Sequence, residues 1–129
     1  NAFMHLDNGF SENDRSLYLG VWYCWGVNDD GSWCMSNGQD CGGLELHHIM
    51  GRRKHVKCLS SILNSALLCK RCHDRVRHSL DEHRQLFKKT LQFLASQHYQ
   101  IKQVDIDFWN MHEPELVGKG TQIWSVFNR

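Results

Sequence analysis

Apolar residues fall into blocks whose spacing changes along the chain. Residues 1–15 are polar and irregular, which predicts a loose entry segment. Ser16–Val27 (SLYLGVWYCWGV) is dense in aromatic and aliphatic side chains and predicts a strand. Asn28-Asp29-Asp30-Gly31 is a turn signal, and Ser32–Met35 is the candidate returning strand of a hairpin. Ser36–Asp40 is a second polar turn. Leu44–Ile49 predicts a short strand with Leu44 and Leu46 on one face, and Ser65–Leu68 predicts another. Between them, Met50–Ser61 is a long basic connection.

The period then lengthens. A helix is predicted from near Cys72 to about His78. Ser79-Leu80-Asp81-Glu82 has the S-x-x-E form of a capping box. The helix after it runs to about Gln97, with Leu86, Phe87, Thr90, Leu91 and Leu94 on one face. Farther on, Asp105–His112 predicts a short helix ended by Pro114. Gly118–Gly120 predicts a turn, and Gln122–Phe127 a final strand.

This order of elements predicts a single α+β domain over residues 1–129. Its parts are a β-rich segment (1–40), a core (41–78) and a helical extension (79–129). Hydrophobic residues make up 41% of the chain, and five Trp and six Phe supply much of a modest core. No apolar run approaches the ~18 residues of a membrane span. No signal peptide is visible.

A formal net charge of +1 predicts no polyanion partner by itself, but its distribution does. Residues 1–50 sum to −6, from one basic and seven acidic residues. Residues 51–78 sum to +7, from Arg52, Arg53, Lys54, Lys57, Lys70, Arg71, Arg75 and Arg77 against Asp74. Residues 79–129 balance at six and six. Phosphate neutralisation depends on local charge, so the middle window is a candidate nucleic-acid footprint.

Six Cys in 129 residues admit a disulfide scaffold or a metal site. The C-x2-C spacing of Cys69-Lys70-Arg71-Cys72 favours metal, since two thiolates so spaced can reach one Zn2+ at ~2.3 Å. Nine His point the same way. A metal site in turn favours a reducing compartment.

Four features stand in order: Cys41-Gly42-Gly43, Leu46-His47-His48-Ile49, Asn64, and Cys69-Lys70-Arg71-Cys72-His73. In this order the sequence resembles the HNH (ββα-metal) endonuclease family over about Cys34–His78. The family pattern is a residue pair ending in His on a first strand, an Asn in the following loop, and a His at a helix start. Many members carry a four-cysteine zinc site whose second pair just precedes the last His. The resemblance implies a ββα-metal core with a structural zinc knuckle, an N-terminal β-hairpin and a C-terminal helical extension. Compact domains with such extensions resemble phage-borne members, which implies a bacterial or phage-infected cytoplasm.

Phosphodiester hydrolysis needs an activated water, charge stabilisation at phosphorus and help for the leaving oxygen. His48 is the candidate base. His47 and His73 are the candidate ligands of a catalytic Mg2+ or Mn2+, with Zn2+ or Ni2+ as the other ions to consider. Asn64 either orients His48 or ligates the ion. Adjacent strand residues point to opposite faces, so the His pair sits at the strand's end or only one His faces the ion. His78 is an additional candidate ligand. Relatives that bind zinc there carry a third ligand four residues after the last His, where this chain has Arg77.

The structural Zn2+ is assigned to Cys34, Cys41, Cys69 and Cys72, with Cys24 as the substitute for Cys34. Cys34 and Cys41 are separated by six residues, where the commonest family pattern has two. Cys58 is expected to be a free thiol, and His55, His83, His98 and His112 to be surface residues. Tyr18, Trp22, Tyr23, Trp25 and Trp33 are expected in the core rather than on a base-stacking platform. The eight cations of the basic window are expected to meet DNA phosphates. The competing reading is a non-catalytic zinc module that binds nucleic acid through that window. A third is an interaction protein docking through Asp81–Gln97.

Overall fold

The computed structural model describes residues 10–21, 23–28, 30–37, 43–50, 60–75, 80–118 and 120–127. It is a small α+β fold in which a two-stranded antiparallel sheet is flanked by helices. Strand β1 is Leu44–His48 and β2 is Ser65–Cys69. Their register pairs Leu44 with Cys69, Leu46 with Leu67 and His48 with Ser65. Alternation therefore puts Leu44, Leu46, His48, Ser65, Leu67 and Cys69 on one face, and Glu45, His47, Ala66 and Leu68 on the other.

Both strands match the sequence expectation, but the segment before them does not. Ser16–Val27 is not a strand. Helix α1 is Glu12–Ser16, a 3-10 turn covers Leu17–Gly20, and Val21 after it is extended. The expected hairpin is reduced to one bridge, Val27 to Trp33, extended by Cys24 N–H to Ser36 O at 2.8 Å and Cys34 N–H to Gly26 O at 2.9 Å. Trp25 N–H reaches Leu67 O at 2.8 Å and so lays the hairpin against β2. The reason for the departure is packing. Tyr18 and Trp25 both enter one aromatic cluster around Phe93, with ring centroids 4.8–5.5 Å apart, and the 3-10 turn shortens the chain between them. Tyr23 and Trp33, expected in the core, are exposed instead.

Helix α2, Lys70–Arg75, starts directly off β2, two residues before the expected start. Helix α3, Leu80–Ser96, buries Leu86, Phe87, Thr90, Leu91 and Leu94, the face its period predicts. The proposed Ser79 cap lies outside the described residues. Thr90 Oγ1 donates to Ser65 O of β2, which ties helix to sheet.

Helix α4, Gln103–Leu116, is longer than expected and keeps Pro114 inside its last turn. Proline there forfeits the bond an N–H would make to Asn110 O, one bond in the last turn. Burial of Phe108, Trp109, His112 and Leu116 on one face holds the helix against Phe87. His112, expected on the surface, is thus in the core, its ring 4.6 Å from Phe108. Gln122–Phe127, expected as a strand, forms the short helix α5, Ile123–Phe127. Ile123, Val126 and Phe127 are its inward positions, a spacing of three and four rather than two.

Asp105 ties α4 to the sheet from a fully buried position. Its carboxylate accepts from Ser61 Oγ and Tyr99 OH, both at 2.6 Å, and from Lys102 N–H at 2.9 Å. Ser61 opens the 3-10 turn Ile62–Asn64 that leads into β2.

Candidate metal centre and imidazole site

The hairpin, the end of β2 and the start of α2 meet around sulfur. The thiols of Cys24, Cys34, Cys69 and Cys72 lie within 4.8 Å of one another. Hairpin register explains the first two. Cys24 faces Ser36 and Cys34 faces Gly26, so the two thiols are diagonal neighbours on one face. The other two flank the β2–α2 junction, where Cys72 N–H points at Cys69 Sγ at 3.4 Å. Four thiolates around one Zn2+ at ~2.3 Å stand about 3.8 Å apart, so a contraction of about 1 Å closes the shell. An all-sulfur donor set suits a metal such as zinc.

The quartet differs from the sequence assignment in one ligand. Cys24 joins Cys34 rather than replacing it, and Cys41 and Cys58 lie outside the described residues. The turn signal alone did not place Cys24: closing the hairpin at Asn28 and Gly31 would put positions 24 and 34 on opposite faces, and it is the observed pairing of Asn28 with Ser32 that brings them together.

Gly26 allows the close approach. A Cβ there would lie 2.7 Å from Cys72 Sγ and 3.2 Å from Cys24 Sγ. Gly26 N–H donates to Cys24 Sγ at 3.2 Å, and Arg71 Nη2 to Cys34 Sγ at 3.4 Å. Burial pushes the Cys24 thiol well above its ordinary value. At Cys34 partial burial also pushes upward. Hydrogen bonds from the Ser36 backbone, Arg71, Cys72 and Cys24 outweigh it and bring the thiol down to about 7.

The imidazole site lies at the far end of β1, and its two His point to opposite faces. His47 is buried on the face shared with Glu45, and its ring meets that of His73 on α2 edge to face, centroids 4.8 Å apart. Two imidazoles sharing one cation at ~2.1 Å hold their centroids roughly 4.5–5.3 Å apart, a range that includes this separation. His48 lies on the other face, stacked on Phe10.

Glu45 was missed by the sequence reading, although its spacing of two from His47 put it on the same face. Its Oε2 lies 2.5 Å from His73 Nδ1. A carboxylate on Nδ1 makes Nε2 the ring nitrogen available to an ion. Among the described residues, only the cysteine quartet brings three or more His, Cys, Asp or Glu ligand atoms within 4.8 Å.

Asn64 turns its carboxamide onto the backbone. Its Oδ1 accepts from Met50 N–H at 2.7 Å and its Nδ2 donates to Met50 O at 3.2 Å. It is 1% exposed, and its carboxamide is spent on the backbone two residues after His48. Both of these side-chain bonds go to Met50 rather than to His48.

Lys70 and Arg71 are exposed on α2, and Lys70 pairs with Asp74 at 3.5 Å. Arg75 lies in α2. Arg52, Arg53, Lys54, Lys57, Arg77, His55 and His78 lie outside the described residues. His98 is exposed and His83 half-buried. No helix among the described residues is long and apolar enough to cross a membrane. No protein-family model, curated protein or solved structure matches the chain.

Proposed function

We propose that the chain is a metal-dependent DNA endonuclease of the HNH kind, hydrolysing phosphodiester bonds at the C-terminal end of β1. The observation that carries this reading is the meeting of His47 and His73 from separate elements, with a carboxylate on His73 Nδ1. His47 and His73 hold a divalent cation, and Glu45 fixes the orientation of the His73 ring. Bound Mg2+ or Mn2+ supplies charge neutralisation at the phosphate and stabilises the leaving 3′-oxygen.

His48 takes the proton of the attacking water. Its place on the opposite face of β1 supports that role. In-line displacement needs nucleophile and leaving group on opposite sides of phosphorus. A phosphate seated at the strand's end meets the His47–His73 side and the His48 side from two directions. Asn64 fixes the backbone at Met50 and so limits where the end of β1 can move. The cysteine quartet holds Zn2+, which fixes the β2–α2 junction and with it His73, the residue after Cys72. Lys70 and Arg71, with the other cations of the basic window (Arg52, Arg53, Lys54, Lys57, Arg75 and Arg77), meet phosphates and position the duplex.

One observation favours a second reading, a non-catalytic zinc module that binds nucleic acid. Of the two centres, the cysteine quartet alone brings three or more ligand atoms close together. Such a module needs the thiols and the cations but no base beside a metal pair.

Cleavage of supercoiled plasmid separates the two. With Mg2+ or Mn2+ the wild-type chain is expected to nick or linearise DNA. His48→Ala is expected to lose roughly 10²–10⁴-fold in rate with DNA affinity unchanged. A wild-type chain that binds plasmid but leaves it intact in Mg2+, Mn2+, Zn2+ and Ni2+ is the binding module instead.

A further inference from the structure

We infer that Phe10 is a positioning residue for His48, so that the N-terminal segment Phe10–Tyr18 belongs to the catalytic apparatus; this rests on the nuclease reading above. Phe10 is 3% exposed, and its ring lies nearly parallel to the His48 imidazole, with centroids 4.5 Å apart and planes at 20°. His48 is the last residue of β1, where the strand stops restraining its side chain. A stacked aromatic limits the ring to a narrow arc of its two torsions. Stacking engages the ring face and not the nitrogens, which keep their hydrogen-bonding roles.

The segment carrying Phe10 is held at three points. Ser11 Oγ caps α1 by accepting from Asp14 N–H at 3.1 Å. Asp14, buried, pairs with Lys102 Nζ of the α4 N-cap at 2.9 Å. Tyr18 OH meets Ser65 Oγ at 2.5 Å. Ser65 is the residue paired with His48 across the ladder. The segment therefore begins on His48 and ends on its cross-strand partner, spanning one rung of the sheet from both ends. A residue buried only for its area needs neither this parallel geometry nor this anchoring.

The test compares Phe10→Leu and Phe10→Tyr with wild type, using full-length protein loaded with zinc. Two readouts are taken: single-turnover plasmid cleavage in Mg2+ at saturating DNA, and NMR of the His48 ring in protein carrying ¹³C,¹⁵N-histidine. In wild type the His48 ring protons are expected upfield, under the Phe10 ring current. Phe10→Leu is expected to abolish that shift and slow cleavage roughly tenfold, as a displaced base does, with DNA affinity within about twofold of wild type. Phe10→Tyr, which keeps the ring, is expected to restore both readouts.

Phe10→Leu that loses the ring-current shift yet cleaves at the wild-type rate overturns the inference and leaves the nuclease reading standing. So does a fall in affinity and rate together that Phe10→Tyr fails to restore, since that is a folding defect. A wild-type protein inert toward plasmid in every metal overturns both. Should Phe10→Leu not fold, Phe10→Trp takes its place. A His48 ring shifted upfield as in wild type, with cleavage slowed tenfold, then counts against the inference.

Discussion

The sulfur corner and the imidazole corner sit at opposite ends of the same two strands, and they are built differently. Three of the four sulfur ligands are buried, and two of them flank the β2–α2 junction. The imidazole corner draws its residues from the strand end, α2 and the N-terminal segment, and each ring has a neighbour fixing it: Glu45 for His73 and Phe10 for His48. The first arrangement can close around a metal ion and buries three of its four thiols. The second holds side chains still while leaving His73 and His48 half-buried. On the proposed reading, that difference separates a site that stabilises from one that reacts. The two corners meet at one peptide bond, Cys72–His73, so loss of the first should disturb the second but not the reverse.

The largest expected effect breaks the sulfur corner. Cys24→Ser should lose bound zinc and the cooperative unfolding transition together, whereas Cys41→Ser should keep both. Structural zinc contributes on the order of 10 kcal/mol in small modules. Helices α3 and α4 should therefore remain while the hairpin and α2 come loose. Metal analysis beside thermal melting checks this. Equal zinc loss from both variants would return Cys41 to the ligand set and displace Cys24. Gly26→Ala is the gentler version. A Cβ at 2.7 Å from Cys72 Sγ forces backbone or thiol to move. The expected cost is about 1–3 kcal/mol with weaker zinc retention against a chelator. A melt unchanged from wild type would mean that the hairpin yields without cost.

Where a pattern is long and local, the sequence was enough. Over seventeen residues α3 repeats its apolar face, and Leu86 through Leu94 land inward as the period requires. The two strands were also legible, since alternation and flanking residues agree. The N-terminal segment was not, because aromatic density reports a wish for burial and not the path to it. Tyr18 and Trp25 reach the same cluster only through a turn that Phe93, seventy residues away, makes worthwhile. Residues 122–127 mislead for a related reason: alternation over six residues is too short to oppose a helix lying on α3. At the candidate site, spacing pointed to the C-x2-C knuckle and the family resemblance to the His pair, Asn64 and His73; of these the structure brings together Cys69 with Cys72 and His47 with His73. Glu45 could also have been read from spacing, since it lies two residues before His47 on a strand. Phe10 could not, because nothing local links it to a residue thirty-eight positions on.

Glu45→Gln sharpens the comparison from the imidazole side. The amide keeps the size of the side chain but removes the carboxylate that holds the His73 ring through Nδ1. Affinity of the His47–His73 pair for Mn2+ or Ni2+ should fall roughly 10–100-fold, the usual effect of losing a carboxylate behind a metal-bound imidazole. Zinc content and melting temperature should stay near wild type, because the sulfur corner is untouched. Titration of the zinc-loaded protein with Ni2+, followed by calorimetry, measures this without any need for cleavage. Unchanged affinity would reduce the Glu45–His73 bond to a packing feature.

The smallest expected effect lies in the brace behind the imidazole corner. Lys102 is half exposed and Asp14 is buried, with their charges 2.9 Å apart. Lys102→Ala leaves the Asp14 carboxylate without its cation. Solvent already screens the lysine end, so the cost is about 1 kcal/mol rather than the larger figure for a fully buried pair. That corresponds to a melting shift of roughly 3–5 °C. The loss should appear mainly in the segment carrying Phe10, as faster amide exchange over residues 10–18, while zinc stays bound. Adding Asp14→Asn to Lys102→Ala removes the stranded charge and should recover part of the shift. If the double variant is less stable than the single one, Asp14 serves something other than Lys102, and the brace must be sought elsewhere along α1.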